Sequence, residues 1–379
     1  MKKVIILFFL TFLLTGCYNY KELNEISIVS SIAVDKKDGE YYVGAQIMNA
    51  KQDKESENSQ VIVYTEKGKT INEALRKMTL KSPSELYGGH LSKLVVSEEI
   101  AKEGIINIID VFQRLTEIRN EFTITITKGI DATDIIKVMT SPESVPAEYV
   151  KASLESADVE SALTYSTKLD EFVSNYLKKG IDPVIAVVEV KNYKKKGTTI
   201  ENNATTDPIT KIVLGTIAIT NEGKFEDFLS ENETIGYNFI RNQVQEMIIP
   251  VKCDDKSYAS VSILNSKTSD KVKKNNNIYQ IDLNIKSNGI IAEYNCSKDL
   301  TKEKNVRDLE KNAEKKIKYY VNKAIDKSEN VESKFLGFER MIYLEYPKYN
   351  NEKYDIKINV ELNLNRKGEI RNSSKGEDK

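Results

Sequence analysis

The chain has 379 residues, 40% of them hydrophobic and 30% charged, which allows two or three folded domains and excludes a disordered or collagen-like body. Its 56 Lys+Arg stand against 57 Asp+Glu, a formal net charge of -1, so a polybasic nucleic-acid protein is excluded as the default reading. One His and three Cys leave little material for a metal site, and a Ser-His-Asp or Cys-His catalyst would have to use that one His.

Lys2 and Lys3 precede an apolar run over residues 4–14, interrupted by Thr11, and then Leu14-Thr15-Gly16-Cys17. A permanent bilayer span needs about 20 apolar residues, so the run reads as the hydrophobic stretch of a secretory signal over 1–16. Small residues lying extended before a Cys form a lipobox, in which the thiol of Cys17 takes a diacylglyceryl group and becomes the mature N-terminus. Each buried acyl CH₂ contributes about 0.8 kcal/mol, and two chains hold where one binds only marginally. No later apolar run reaches spanning length. The body is therefore expected outside the bilayer, tethered on the extracytoplasmic side, where disulfides persist.

The body reads as mixed α and β structure. Ile26, Ile28, Ile32 and Val34 alternate with small or polar residues, and Asp35-Lys36-Lys37-Asp38-Gly39 turns the chain into a second alternating run at Tyr41, Val43, Ala45 and Ile47. A polar loop over 51–59 leads to a strand at 61–65. Thr70 and Glu73 form a capping-box pair for a helix to residue 78, stopped by Ser82-Pro83-Ser84. A short buried strand at 94–96 precedes helical spacing at Ile105, Ile108, Phe112 and Leu115. Phe122, Ile124 and Ile126 alternate with Thr as a strand should, and 130–139 reads as a helix ended by Ser141-Pro142. Helices over 145–158 and 168–179 and a buried strand through 190 complete an N-terminal α/β domain at 17–195.

Residues 196–208 are polar, follow Lys194 and Lys195, and contain Asn202-Asn203. They read as a linker or a long hairpin loop. The lysines there suit a solvated loop better than a headgroup contact. A middle α/β segment at 209–250 holds a strand over 212–220, the turn Asn221-Glu222-Gly223 and a helix over 231–242. The C-terminal α/β domain, 251–379, opens with two strands, 257–264 and 278–285, around a Lys/Asn-rich turn. A long helix follows on Val306, Leu309, Ala313, Ile317, Tyr320 and Ala324. Tyr354, Ile356, Ile358, Val360, Leu362 and Leu364 then alternate with polar residues, one face buried and the other wet. The fold class is α+β: antiparallel or mixed sheets packed with helices.

Few residues offer chemistry. His90, in Tyr87-Gly88-Gly89-His90, has the imidazole of a general base but the setting of a structural residue beside a strand. There is no Gly-x-Ser-x-Gly elbow and no Gly-rich phosphate loop, and no metal or cofactor is expected. Asp254-Asp255 and Glu98-Glu99 are adjacent pairs that point apart, as solvent charges do. Cys253 and Cys296 flank the two strands of the later hairpin. A disulfide and a pair of buried thiols both fit that placement.

The order of these segments resembles the Ger(x)C family, the C-subunit lipoproteins of spore nutrient germinant receptors. The likeness starts at Leu14-Thr15-Gly16-Cys17-Tyr18-Asn19-Tyr20-Lys21-Glu22-Leu23, where the family usually has Gly-Cys-Trp-Asp; this chain has Tyr18-Asn19 and no Trp. It continues through Gly88-Gly89-His90, Ser97-Glu98-Glu99, Arg114, Glu117-Ile118-Arg119 and Thr127-Lys128-Gly129. In the second half, Leu214-Gly215-Thr216, Glu233-Thr234-Ile235-Gly236, Asn288-Gly289 and Arg366-Lys367-Gly368 are similar to the family's pattern. At Phe225-Glu226-Asp227-Phe228-Leu229 the chain departs from it, lacking the Gly common before the Leu. Gly89, His90, Arg119, Gly215, Glu233 and Gly236 are the matched positions expected to serve structure. The resemblance implies three mixed α/β domains, no catalysis, and a membrane-anchored subunit acting with integral-membrane A and B subunits in the spore inner membrane. Two other readings compete: a substrate-binding lipoprotein of an ABC-type transporter, needing two lobes around a cleft, and an extracytoplasmic enzyme with a carboxylate-only site.

Overall fold

The computed structural model describes residues 25–48, 59–140, 145–253, 257–276, 278–350 and 352–365. β1 (Ile26–Lys37) turns into β2 (Glu40–Met48) at Asp38 and Gly39, whose φ values are 51° and 78°. Positive φ at both turn residues matches the right-handed twist of the flanking strands. β3 (Val61–Gly68) continues the antiparallel set. A short β4 (Glu85–Tyr87) lies parallel to the start of β1. On the edge opposite β2, β1 is joined in parallel by β5 (Lys93–Val96), then β6 (Thr123–Thr127); β7 (Thr167–Lys168) pairs with β6 off this path. β8 (Val184–Lys191) follows in parallel, and β9 (Lys211–Asn221) and β10 (Lys224–Phe228) close the sheet antiparallel. Eight of the sheet's ten strands run in the order β10-β9-β8-β6-β5-β1-β2-β3, with β4 and β7 paired off this path.

Both faces of this sheet are covered. On one side α1 (Ile71–Met78), α2 (Glu98–Arg114) and α5 (Leu169–Leu177) bury Val34, Val43, Leu94, Val96, Ile124 and Ile126. On the other, α3 (Ala132–Ile135) and α4 (Pro146–Glu160) pack on Ala33, Val95, Ala186 and Val188. Crossover helices on both faces are what a set of parallel strands requires. α1 starts as expected, with Thr70 accepting from the Glu73 amide; the Glu73 carboxylate takes the Lys69 amide instead of the Thr70 one. α2 begins earlier than its apolar spacing suggested, because Ser97 caps it and Glu98 and Glu99 sit in its first turn. At Gly104 (φ 135°) the helix kinks and the Ile105 amide bonds the Gly223 carbonyl at 2.8 Å.

Residues 196–208 connect β8 to β9 within this one sheet, with pairing from Val184↔Ile219 to Lys191↔Lys211. Two short 3₁₀ turns, Lys195–Thr198 and Ile200–Asn202, occupy much of the connection. The buried Asn202 side chain bonds the Met139 and Thr210 carbonyls, both at 2.9 Å. The stretch 209–250 is shared: β9 and β10 finish the first sheet, while α6 (Glu231–Ile240) and β11 (Met247–Lys252) belong to the second layer.

The second sheet has the order β11-β12-β13-β14, with β12 (Tyr258–Asn275), β13 (Ile278–Tyr294) and β14 (Tyr354–Leu364). β12 and β13 form a long antiparallel hairpin, and β14 runs parallel to β13. α7 (Glu303–Ser328), α6 and α8 (Phe338–Glu345) cover its inner face, burying Ile249, Val261, Ile281, Leu283 and Ile317. Val184, Ile217 and Ile219 from the first sheet belong to this same core, so the two layers meet through apolar contact.

Candidate functional site

The residues singled out in the sequence fall at three places, and at each the geometry is that of a structural joint. At one end of the first sheet, Tyr87-Gly88-Gly89-His90 leaves β4. A Cβ on Gly88 would stand 2.6 Å from the Ile118 side chain, and one on Gly89 would overlap the Tyr87 phenol oxygen. A larger residue at either position would have to displace the Ile118 side chain or the Tyr87 ring. His90 is exposed, edge-on to the Tyr87 ring at 6.1 Å between centroids. Arg119, beyond Ile118, is exposed as well. Among the described residues no carboxylate bonds the imidazole.

The second place is the contact of α6 with its neighbours. Ser230 and Glu233 form a reciprocal capping box: the Glu233 carboxylate accepts from the Ser230 amide at 2.6 Å, and the Ser230 hydroxyl from the Glu233 amide at 3.5 Å. One turn on, a Cβ at Gly236 would overlap the Tyr320 carbonyl oxygen of α7. Gly215 on β9 lies against Val187 of β8, where a Cβ would stand 2.9 Å from the valine methyl. The third place is the base of the long hairpin, where Cys253 and Cys296 are joined as a disulfide with Cα atoms 6.2 Å apart. Cys17, Asp254-Asp255 and Arg366-Lys367-Gly368 lie outside the described residues.

The most unusual ionisable group was not anticipated. Lys93, on β5, is 1% exposed and its Nζ has no hydrogen-bond partner among the described residues. Burial pushes its pKa down to about 7, against the pull of Glu148 and Glu155 on α4. Its register neighbour Ser31 and the nearby Thr125 also have unpartnered hydroxyls. Asp158, further along α4, is pushed up to about 6 by burial, although it accepts twice from the Ser166 amide at 2.9 and 3.1 Å. The signal in the sequence was a single lysine opening the apolar run Leu94-Val95-Val96 in a strand buried on both faces. A shallow groove of about 480 Å³ runs along the outer side of α4 past Tyr149, Ser153, Ser156 and Glu160. It lies away from Lys93, and its lining is small and weakly polar.

Among the described residues no group of three or more His, Cys, Asp or Glu side chains could hold a metal ion. No helix among them is long and apolar enough to cross a membrane.

Comparison with known proteins covers both halves of the chain. Residues 19–190 match a family described as the spore germination protein N-terminal domain, and residues 215–374 one described as spore germination B3/GerAC like, C-terminal. Spore germination protein KC of Bacillus subtilis (strain 168) is 26% identical over 345 residues, covering 88% of this chain and 85% of the relative. Spore germination protein GerQC of Bacillus cereus is 21% identical over 357 residues, 94% of each. The crystal structure of the GerBC protein superposes with a TM-score of 0.50 at 19% identity, over 88% of this chain and 96% of that one, and shares its α+β fold. With both family domains matched in order along one chain, the protein belongs to the Ger(x)C family of spore germination proteins.

Proposed function

We propose that the chain is the C subunit of a spore nutrient germinant receptor: a non-catalytic lipoprotein held by acylated Cys17 on the extracytoplasmic face of the spore inner membrane, acting with integral-membrane A and B subunits in the germination response. The observation that carries this reading is the extent of the likeness, which takes in 19–190 and 215–374 in order. The geometry supports a non-catalytic role, since the matched residues Gly89, Gly215, Glu233 and Gly236 shape a loop, a strand contact, a cap and a helix crossing. The physical logic is tethering. An acylated N-terminus confines the body to the membrane plane and raises its effective concentration near integral partners, so a modest protein surface suffices for assembly. A transporter's binding lipoprotein would need a cleft between two lobes; here the two layers meet through a shared core instead.

Cys17→Ala tests the anchor. The variant is expected to keep its fold, to leave the membrane fraction and to impair germination. A Cys17→Ala protein that is retained at the membrane and germinates normally refutes the tether. Copurification from spore membranes with the A and B subunits tests the assembly.

A further inference from the structure

The second sheet stops one strand short of the core it covers. In the β13–β14 register, Ile281 faces Ile356, Leu283 faces Ile358 and Ile285 faces Val360. The three β13 residues are at most 1% exposed, yet their β14 partners on the same inner face are only half-buried. The Asn365 amide bonds the Gly289 carbonyl of β13, so odd-numbered β14 residues turn their backbone groups inward along the sheet. Even-numbered ones turn theirs to the free edge. Two of these outward amides are taken by α7, Leu362 by the Glu314 carboxylate at 3.0 Å and Leu364 by that of Glu310 at 2.9 Å. There the leucines are 4% and 6% exposed. Over Ile356, Ile358 and Val360 neither cover exists among the described residues, while the Tyr354 ring meets Phe338 of α8 edge-on. Natural edges are commonly blunted by a covering element or an inward charge; this one is blunted for its last third only.

We propose that this edge receives an extended segment of a partner subunit, which adds as a fifth strand beside β14. The inference rests on the receptor-subunit reading. Backbone groups of residues 354–360 would supply the affinity. The half-buried row Ile356, Ile358, Val360 calls for apolar side chains at alternate positions of the incoming strand. The outer row, Asp355, Lys357, Asn359 and Glu361, calls for a basic residue beside Asp355 and an acidic one beside Lys357. Segments of this chain outside the described residues do not fit by sequence: 49–58 offers only Ala50, 366–379 only Ile370, and 18–24 breaks its alternation at Glu22. A second copy fits poorly. A dyad centred on Ile358 sets Asp355 against Glu361 twice, and one centred on Lys357 sets that lysine against itself. Centring on Ile356 pairs the charges but leaves Val360 facing Glu352, beyond the strand, and centring on Asn359 pairs Lys357 with Glu361 but lays residues 354–356 over Leu362 and Leu364, whose outward amides α7 already holds.

The test uses the full chain coexpressed with its A and B subunits. Ile358→Pro removes an amide that points away from β13, so the sheet's own ladder stays intact. Ile356→Lys places an inward charge at the edge. Each is expected to lower the A and B subunits recovered with the chain by about tenfold, with unchanged membrane retention and thermal melting. A photo-crosslinking residue at Asn359 is expected to label A or B. Undiminished copurification of both variants overturns the proposal while leaving the receptor reading standing, and so does a crosslink to a second copy. Wild-type chain that recovers neither subunit sinks that reading and this proposal together. If both variants melt early, the crosslink decides alone: an adduct with A or B supports the strand, and its absence removes it.

Discussion

A lysine buried with no acceptor among the described residues is a cost the fold carries throughout the ordinary pH range. Lys93 titrates near 7 in the folded chain, against an ordinary value of 10.5. Between those values the unfolded chain holds one more proton than the folded one, so stability rises with pH across that window. Below about 7 both states hold the proton and the full cost of burying the cation remains. At pH 7 the difference corresponds to roughly 4 kcal/mol as an upper figure. Lys93→Met keeps the length and removes the charge. It is expected to raise the unfolding free energy by about 2–4 kcal/mol at pH 7 and to flatten the rise expected of wild type between pH 7 and 9. Urea unfolding at several pH values checks this; a variant no more stable than wild type at pH 7 would show that the amine earns its place. Asp158 acts in the opposite sense. Its raised value means stability falls as pH climbs from about 4 to 6. The lysine opening the apolar run Leu94-Val95-Val96 was the one local signal; that its face is dry depends on α4, which packs there from more than fifty residues away. Gln46 shows the same thing: it sits among polar positions of β2, yet it is fully buried, accepting from the Ser30 hydroxyl and the Ala147 amide and donating to the Ile136 carbonyl at 2.7 Å.

At the level of elements, what could be read and what could not divide by the range of the forces involved. Caps and turns are local, so Thr70, the Asn221-Glu222-Gly223 turn and the long amphipathic α7 were legible. β14 was legible from its strict alternation, but its parallel pairing was not. β10, β11 and α8 escaped because they are short and held by distant partners. α3 was expected over 130–139 and spans only Ala132–Ile135. Its N-terminal amides are capped from another element: the Asp35 carboxylate accepts from Ala132 at 2.6 Å and Thr133 at 2.9 Å, while the adjacent Asp131 makes no cap bond. The crossing of α6 and α7 sets two such influences against each other. Replacing a helical Gly by Ala ordinarily stabilises by about 1 kcal/mol. At Gly236 the new methyl overlaps the Tyr320 carbonyl, and forcing the helices apart costs about 1–3 kcal/mol or more. Gly236→Ala is therefore expected to lower the melting temperature by several degrees. A higher melting temperature would mean that the close approach is slack.

At the scale of the whole molecule, two sheets that are separate in hydrogen bonding behave as one body if the seam between them is strong enough. Apolar contact through Val184, Ile217 and Ile219 is part of that seam. Polar contacts add to it, two carboxylates of the first layer among them. Asp182 accepts from the Glu222 amide at 3.2 Å and, across the seam, from the Lys334 amide at 2.8 Å. Glu226 accepts from the Glu332 and Ser333 amides at 2.7 and 2.8 Å. The Arg340 amide bonds the Gly180 carbonyl at 2.9 Å, at a glycine whose φ is 83° and whose missing Cβ would stand 2.6 Å from that same nitrogen. In the tethered-subunit role proposed above, force would pass between the layers only through these joints. Asp182→Ala strands two amides, at a cost of about 2–4 kcal/mol. Hydrogen exchange followed separately in β5–β6 and in β12–β13 distinguishes where that loss is felt. If the seam joins the layers into one cooperative unit, both regions lose protection by the same amount. A loss confined to β5–β6, with the long hairpin unchanged, would mean that the layers unfold independently and that the shared core alone does not couple them.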